Sequence, residues 1–187
     1  LKDITLGQDG DFQNKRFVDI INNDLANTIG NLLNRTSSMS RKWFDNRVPS
    51  NEMLSKDNTL ELYAKKTVEN YFRHFNSYEL DLAANVILSL AINTNLYLNE
   101  KQPWTLIKDE KNIPLVSNII YNVLESTRIV GLLLLPILPN LSSKIDQQLG
   151  LLYNEKESWK KQLDWGKLIH ESILPAPNPV IEKLEYE

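Results

Sequence analysis

From Asn112 to Leu135 the chain carries a helical pattern that runs into the most apolar stretch of the sequence. Asn112 and Pro114 open it, with Pro in the first turn, where its missing N–H is harmless. Leu115, Ile119, Val123 and Ile129 follow, and the end is apolar nearly all round. A helix that is apolar on every side must be surrounded by other elements, so this one is expected at the centre of a helical bundle. The run Ile129 to Leu138 is ten residues long and holds Gly131 and Pro136. A membrane span needs about 20 apolar residues, so the run is read as a buried helix and no membrane partner is expected.

The flanking segments supply what such a helix would pack against. From about Gln13, Ile21, Leu25, Ile29, Leu32 and Leu33 fall on one helical face. Asn23, Asn27, Asn31 and Asn34 lie opposite, with Arg35 at their margin. Residues 36–58 break this period and are read as the tail of the first helix plus a connection carrying Trp43 and Phe44. A second helix is expected over about Thr59–Phe75, with Leu62, Val68, Tyr71 and Phe72 as its apolar positions. Asn76-Ser-Tyr-Glu79 has the spacing of a capping box. The long helix after it puts Leu82, Ala83, Val86, Ile87, Leu90 and Tyr97 on one face, with Asn95 and Asn99 pointing away. Pro103 stops it, and Trp104 stands just past the stop. Pro136 and Pro139 interrupt the central helix, a further turn or two reaches Leu149, and Gly150 is the expected stop. Residues 151–187 end in the Pro-rich Leu174–Pro179 stretch, expected to be extended and packed on the bundle surface. There are no β-runs of length. The fold class expected is all-α, a bundle of about five helices with an extended Pro-rich C-terminal segment.

Composition narrows the chemistry. There are no cysteines and only two histidines, His74 and His170, so no thiol nucleophile and no Cys-ligated metal is available. Neither histidine has a sequence-local acid or nucleophile partner, and there is no glycine loop of the P-loop or dinucleotide type. No catalytic residue and no metal ligand is assigned. The net charge of −3 means that any nucleic-acid site must be a local patch. Asn is common, at 21 residues, so a single Asn says little. A row of them on a helix face is either compositional bias or a set of donors and acceptors for a polar partner. Single-stranded bases are held by stacking on aromatics and by hydrogen bonds to their edges. Trp104, flanked by Lys101 and Lys108, and the Asn27–Asn31–Arg35 face have that composition. From the pattern alone, Trp104 as core filling and Trp104 as a base platform both stay open.

The residues also resemble a known family. Asn23-Asp-Leu-Ala-Asn-Thr-Ile-Gly-Asn-Leu-Leu-Asn-Arg35 resembles the helix that opens the anticodon-binding domain of methionyl-tRNA synthetases. Asn99-Glu-Lys-Gln-Pro-Trp104, followed by Lys108-Asp109, resembles that family's second hallmark. Gly7–Phe12 is similar to its junction after the catalytic domain, and Trp165-Gly166 through Pro179–Glu182 to its C-terminal closure. The resemblance spans essentially the whole chain in order. It implies a class I synthetase anticodon-binding fold, with residues 1–12 as the junction and 13–187 as the helical domain. It implies a module reading the CAU anticodon of methionine tRNAs, initiator and elongator, for a cytoplasmic methionine–tRNA ligase. ATP, and zinc in some members, would belong to a catalytic domain whose motifs are absent here, so no cofactor is expected in this chain. That catalytic domain and methionine tRNA are the partners implied.

By the same resemblance Trp104 stacks under the first anticodon base, Pro103 fixes the backbone that reads its edge, and Asn27 contacts the anticodon. Asn31 stands where some members carry Arg, with Arg35 as an alternative source of charge, and Asn99 stands where some have Asp. A helical protein-interaction or scaffold module, or the equivalent domain of another class I synthetase, is the alternative. Solvent exposure of Trp104 separates the scaffold from the RNA reader.

Overall fold

The computed structural model describes residues 2–4, 6–50, 57–151 and 157–185, and the central helix lies where the apolar pattern puts it. This helix, α6 (Ile113–Leu134), follows Asn112, whose amide bonds Leu106 O instead of capping it, and buries every residue from Val116 to Leu134. Around it, in chain order, stand a continuous rod made of α1 (Asn14–Asp19), a π segment (Ile20–Gly30) and α2 (Asn31–Trp43), then α3 (Thr59–Asn76) and α4 (Leu80–Lys101). The single turn α5 (Pro103–Leu106) and a 3-10 turn (Glu110–Asn112) lead into α6, which α7 (Pro139–Gln148) and the short α8 (Trp159–Gln162) follow. The described residues form an all-α bundle: five long rods, with α5 and α8 as single turns.

Side-chain bonds fix the helix directions. Tyr63 Oη lies 2.8 Å from Ser89 Oγ, and Lys101 meets Asp57 at 2.6 Å, so α3 and α4 run antiparallel. Thr94 Oγ1 lies 2.6 Å from Ser126 Oγ deep in the core, locking α4 to α6. Asn95 Nδ2 donates to Thr28 O at 3.1 Å, so the rod lies against α4. Asn95 therefore does not point away from the bundle as its periodicity implied; its amide bridges two helices.

Residues 20–30 depart from the expected α-helix. They form a π-helix, wider than an α-helix and rare at this length, in which Asn31 N–H reaches back to Ala26 O. Polar side chains support it. Thr28 Oγ1 donates to Asn23 O at 2.8 Å, while Asn95 supplies a second donor to Thr28 O. Two other local expectations also change. Leu62, Leu82 and Leu115 are exposed instead of buried. Asn76 and Glu79 form no capping box; Glu79 Oε2 instead lies 2.6 Å from His74 Nδ1.

The C-terminal segment is held by a buried ion pair in α6. Glu125 is fully buried and bonds Arg128 through both oxygens, at 2.7 and 2.9 Å. The same carboxylate accepts N–H bonds from Gly166, Lys167 and Leu168, while Arg128 donates to Gln162 O and Asp164 O. Beyond it the chain pairs with 46–48 through Val48 N–H to Ser172 O at 2.9 Å and Leu174 N–H to Asn46 O at 2.8 Å. It then crosses Gln148, which bonds Pro175 O, Ala176 O and Asn178 N–H. Finally it reaches Asn22, whose amide bonds both the N–H and the C=O of Leu184. The stretch 174–179 thus has no regular secondary structure, and its backbone is satisfied by side chains of the bundle.

Candidate nucleic-acid interface

The C-terminal end of α4 turns sharply because Gln102 is left-handed, at φ 45° and ψ 56°. A side chain in that region costs about 1–2 kcal/mol relative to the right-handed form, so the turn is held by its surroundings. Gln102 N–H still bonds Leu98 O, while Gln102 O accepts from Thr105 and Leu106 at 2.9 and 3.3 Å. Pro103 follows at the first position of α5 and is buried. The result redirects the chain so that Trp104 emerges at the surface, 38% exposed.

Arg35, from α2, stands beside it. Its guanidinium carbon lies 5.8 Å from the centre of the indole, within cation–π range, and its Nη2 donates to Asn99 Oδ1 at 3.2 Å. Three of the residues singled out from the sequence, Arg35, Asn99 and Trp104, therefore meet in space. Pro103 is present as a buried pivot, not as a surface contact. Asn31 and Asn27 are exposed and lie about one and two turns before Arg35 on the same rod. Asn27 Nδ2 donates to Asn23 Oδ1 at 3.3 Å.

A second support was not legible in the sequence. Lys101 pairs with Asp57 at 2.6 Å and lies 5.3 Å from the centre of the Tyr97 ring, while Tyr97 Oη donates to Asp57. Burial opposes ionisation of Asp57, but bonds from Lys101 and Thr59 outweigh it and hold the carboxyl below its usual range. Burial, with Asp57 alongside, pushes the Tyr97 hydroxyl well above its ordinary value. Lys101 is thus committed to fixing the end of α4. Tyr97 and Lys101 are one turn apart on α4, but Asp57, which joins them, is 40 residues away from Tyr97 in sequence.

This arrangement has the parts of a single-strand binding surface: an exposed indole, a cation on its face and amides along one helix. A separate apolar cleft of about 800 Å³ lies nearer the start of α4, lined by Phe12, Phe17, Leu25, Leu88 and Ile137. Phe12 and Phe17 are exposed there with ring centres 5.6 Å apart, but the cleft holds neither the indole nor the row of amides on the rod. Among the described residues no group of three or more His, Asp or Glu is placed to hold a metal ion, and no helix is long and apolar enough to cross a membrane.

Comparison with known proteins decides the family. The family described as "Anticodon binding domain of methionyl tRNA ligase" matches residues 48–186. This chain is an anticodon-binding domain of the methionyl-tRNA ligase family. A methionine–tRNA ligase of Nostoc sp. is 36% identical over 99% of the chain, which covers 36% of that protein. The apo methionyl-tRNA synthetase of Mycobacterium tuberculosis superposes with a TM-score of 0.89 at 30% identity, covering 100% of this chain and 38% of that one. The same enzyme bound by methionyl-adenylate gives 0.87 at 31% identity, covering 97% and 36%. The chain thus spans about a third of the length of these methionyl-tRNA ligases, the anticodon-binding part. Its helical architecture is that of the family.

Proposed function

We propose that this domain reads the CAU anticodon of methionine tRNAs, initiator and elongator. It would thereby select the tRNA that receives methionine. The ATP-dependent charging reaction belongs to the catalytic domain that the full-length relatives carry outside the part matched here. ATP, and zinc where the family uses it, belong there too, and a cytoplasmic location goes with translation. Residues 1–12 are assigned as the junction toward that domain and 13–187 as the reader.

One observation carries the reading: Trp104 is exposed and held by Arg35, which in turn is held by Asn99. A scaffold module would favour the indole in the core. With Arg35 against the ring, the remaining exposed area of the indole is where an unstacked base can lie. Stacking there is worth roughly 1–3 kcal/mol. The first anticodon base is assigned to Trp104, with its edge toward the backbone set by Pro103. Asn27 and Asn31 offer amides to the bases that follow, and Arg35 and Asn99 fix the platform.

The test is the affinity of the protein for an anticodon stem-loop bearing CAU against one with the first base changed. Tighter binding of CAU is expected. Equal affinity for the two RNAs would sink the assignment.

A further inference from the structure

A nucleic acid reading its bases against Trp104 must lay its phosphates somewhere, and three of the cations that the sequence offers for them, Arg35, Lys101 and Arg47, are engaged. Arg35 is bonded to Asn99 and stands against the indole. Lys101 is paired with Asp57. Arg47 donates from Nη1 to Glu171 O and serves the C-terminal segment. On α2 that leaves Arg41 and Lys42, both exposed and neither with an acidic partner among the described residues. Helix geometry separates them. Lys42 is seven residues from Arg35, so it points within about 20° of the same direction, about 10 Å further along the axis. Arg41 is six residues from Arg35 and is turned about 120° away. Ser38, exposed, lies one turn before Lys42 on the same side.

We propose that Lys42, with the Ser38 hydroxyl beside it, is a phosphate-binding site for the RNA backbone next to the base held on Trp104, whereas Arg41 takes no part. This deepens the anticodon reading above and rests on it. The chemistry is that of a point charge and a hydroxyl on a phosphodiester. It fixes register and adds affinity without reading sequence. It also places an exposed cation of a chain of net charge −3 on the stripe that Arg35 and Asn31 share.

The experiment measures binding of the CAU stem-loop and of the changed-first-base stem-loop over a series of salt concentrations. Lys42→Ala is expected to weaken both RNAs several-fold, to leave the ratio between them unchanged, and to lower the slope of log affinity against log salt by about 0.7, the share of one single-strand phosphate. Lys42→Arg should restore the slope, and Arg41→Ala should not alter it. The proposal is overturned if Lys42→Ala keeps the slope of the unsubstituted protein, or if Arg41→Ala lowers it equally. Failure of the unsubstituted protein to prefer CAU is separately visible; it removes the anticodon reading and the phosphate site with it.

Discussion

Arg35 on α2 and Asn99 at the end of α4 are joined by one hydrogen bond, Nη2 to Oδ1 at 3.2 Å, and this bond sets the guanidinium 5.8 Å from the centre of the Trp104 ring. Two helices distant in sequence are thereby tied at the point where the indole emerges. The donor is charged, which strengthens the bond, but it lies at the surface, where water competes for both groups. Its value lies in orientation.

Arg35→Ala is therefore expected to lower affinity for the CAU stem-loop while shifting stability by less than about 0.5 kcal/mol, as surface substitutions usually do. Asn99→Ala should act through Arg35, so the two together should cost less than the sum of each. Isothermal titration on the four proteins of the double-mutant cycle reads this directly. Strict additivity would mean that the two residues act independently.

Trp104→Ala should separate binding from folding. Truncating a buried Trp costs about 3–5 kcal/mol of stability, but Trp104 is 38% exposed, so a much smaller loss is expected. Binding of the CAU stem-loop should fall by roughly 1–3 kcal/mol. In the full-length ligase, charging of methionine tRNA should collapse while formation of methionyl-adenylate persists. Unchanged charging would remove Trp104 from the platform.

The parts of this arrangement were unequally legible in the sequence. Pro103 marks the stop of α4 and Pro114 the start of α6 because proline acts locally. Whether Trp104 lies in the core or at the surface depends on the left-handed Gln102, which no local pattern announces in a residue other than glycine. The π register of Ile20–Gly30 is equally hidden: the apolar spacing of Ile21, Leu25 and Ile29 fits an α-helix, and the donors that support the wider spiral include Asn95, from another helix. Glu125 and Arg128 did leave a signal, two opposite charges three residues apart in a helix that carries no other charge. What they hold, the backbone of 162–168, is visible only in three dimensions.

Glu125→Gln should be among the most damaging single changes in the chain. The carboxylate accepts five bonds, from the Arg128 guanidinium twice and from the backbone of Gly166, Lys167 and Leu168. An amide puts a donor where two or three of these donors point and leaves Arg128 buried without its counter-charge. Breaking such a pair costs about 3–5 kcal/mol. Adding Arg128→Met should not fully rescue it, since the amide still faces one or two of the three N–H groups with a donor, at about 1–3 kcal/mol for each acceptor lost. Urea unfolding of the single and double variants tests both statements; full rescue by the second change would show that the ion pair alone mattered.

Asp146 gives the fold a pH dependence of opposite sign to that of most carboxylates. It lies on α7 where Gly131 lets α7 approach α6, its Oδ1 3.8 Å from where a Gly131 Cβ would stand and without a hydrogen-bond partner among the described residues. Burial pushes the carboxyl up to about 6 from 3.8, with the Arg128 charge opposing the shift only in part. Between those values the folded protein binds more protons than the unfolded chain, so stability rises as pH falls from above 6 toward 4. At neutral pH the buried charge costs on the order of 2–3 kcal/mol. Asp146→Asn carries no charge to bury and should lose this dependence, gaining most over the unsubstituted protein near neutral pH. Urea unfolding of both at about pH 7.5 and about pH 5 measures the difference. A variant whose stability changes with pH as much as that of the unsubstituted protein would show that another group sets the slope.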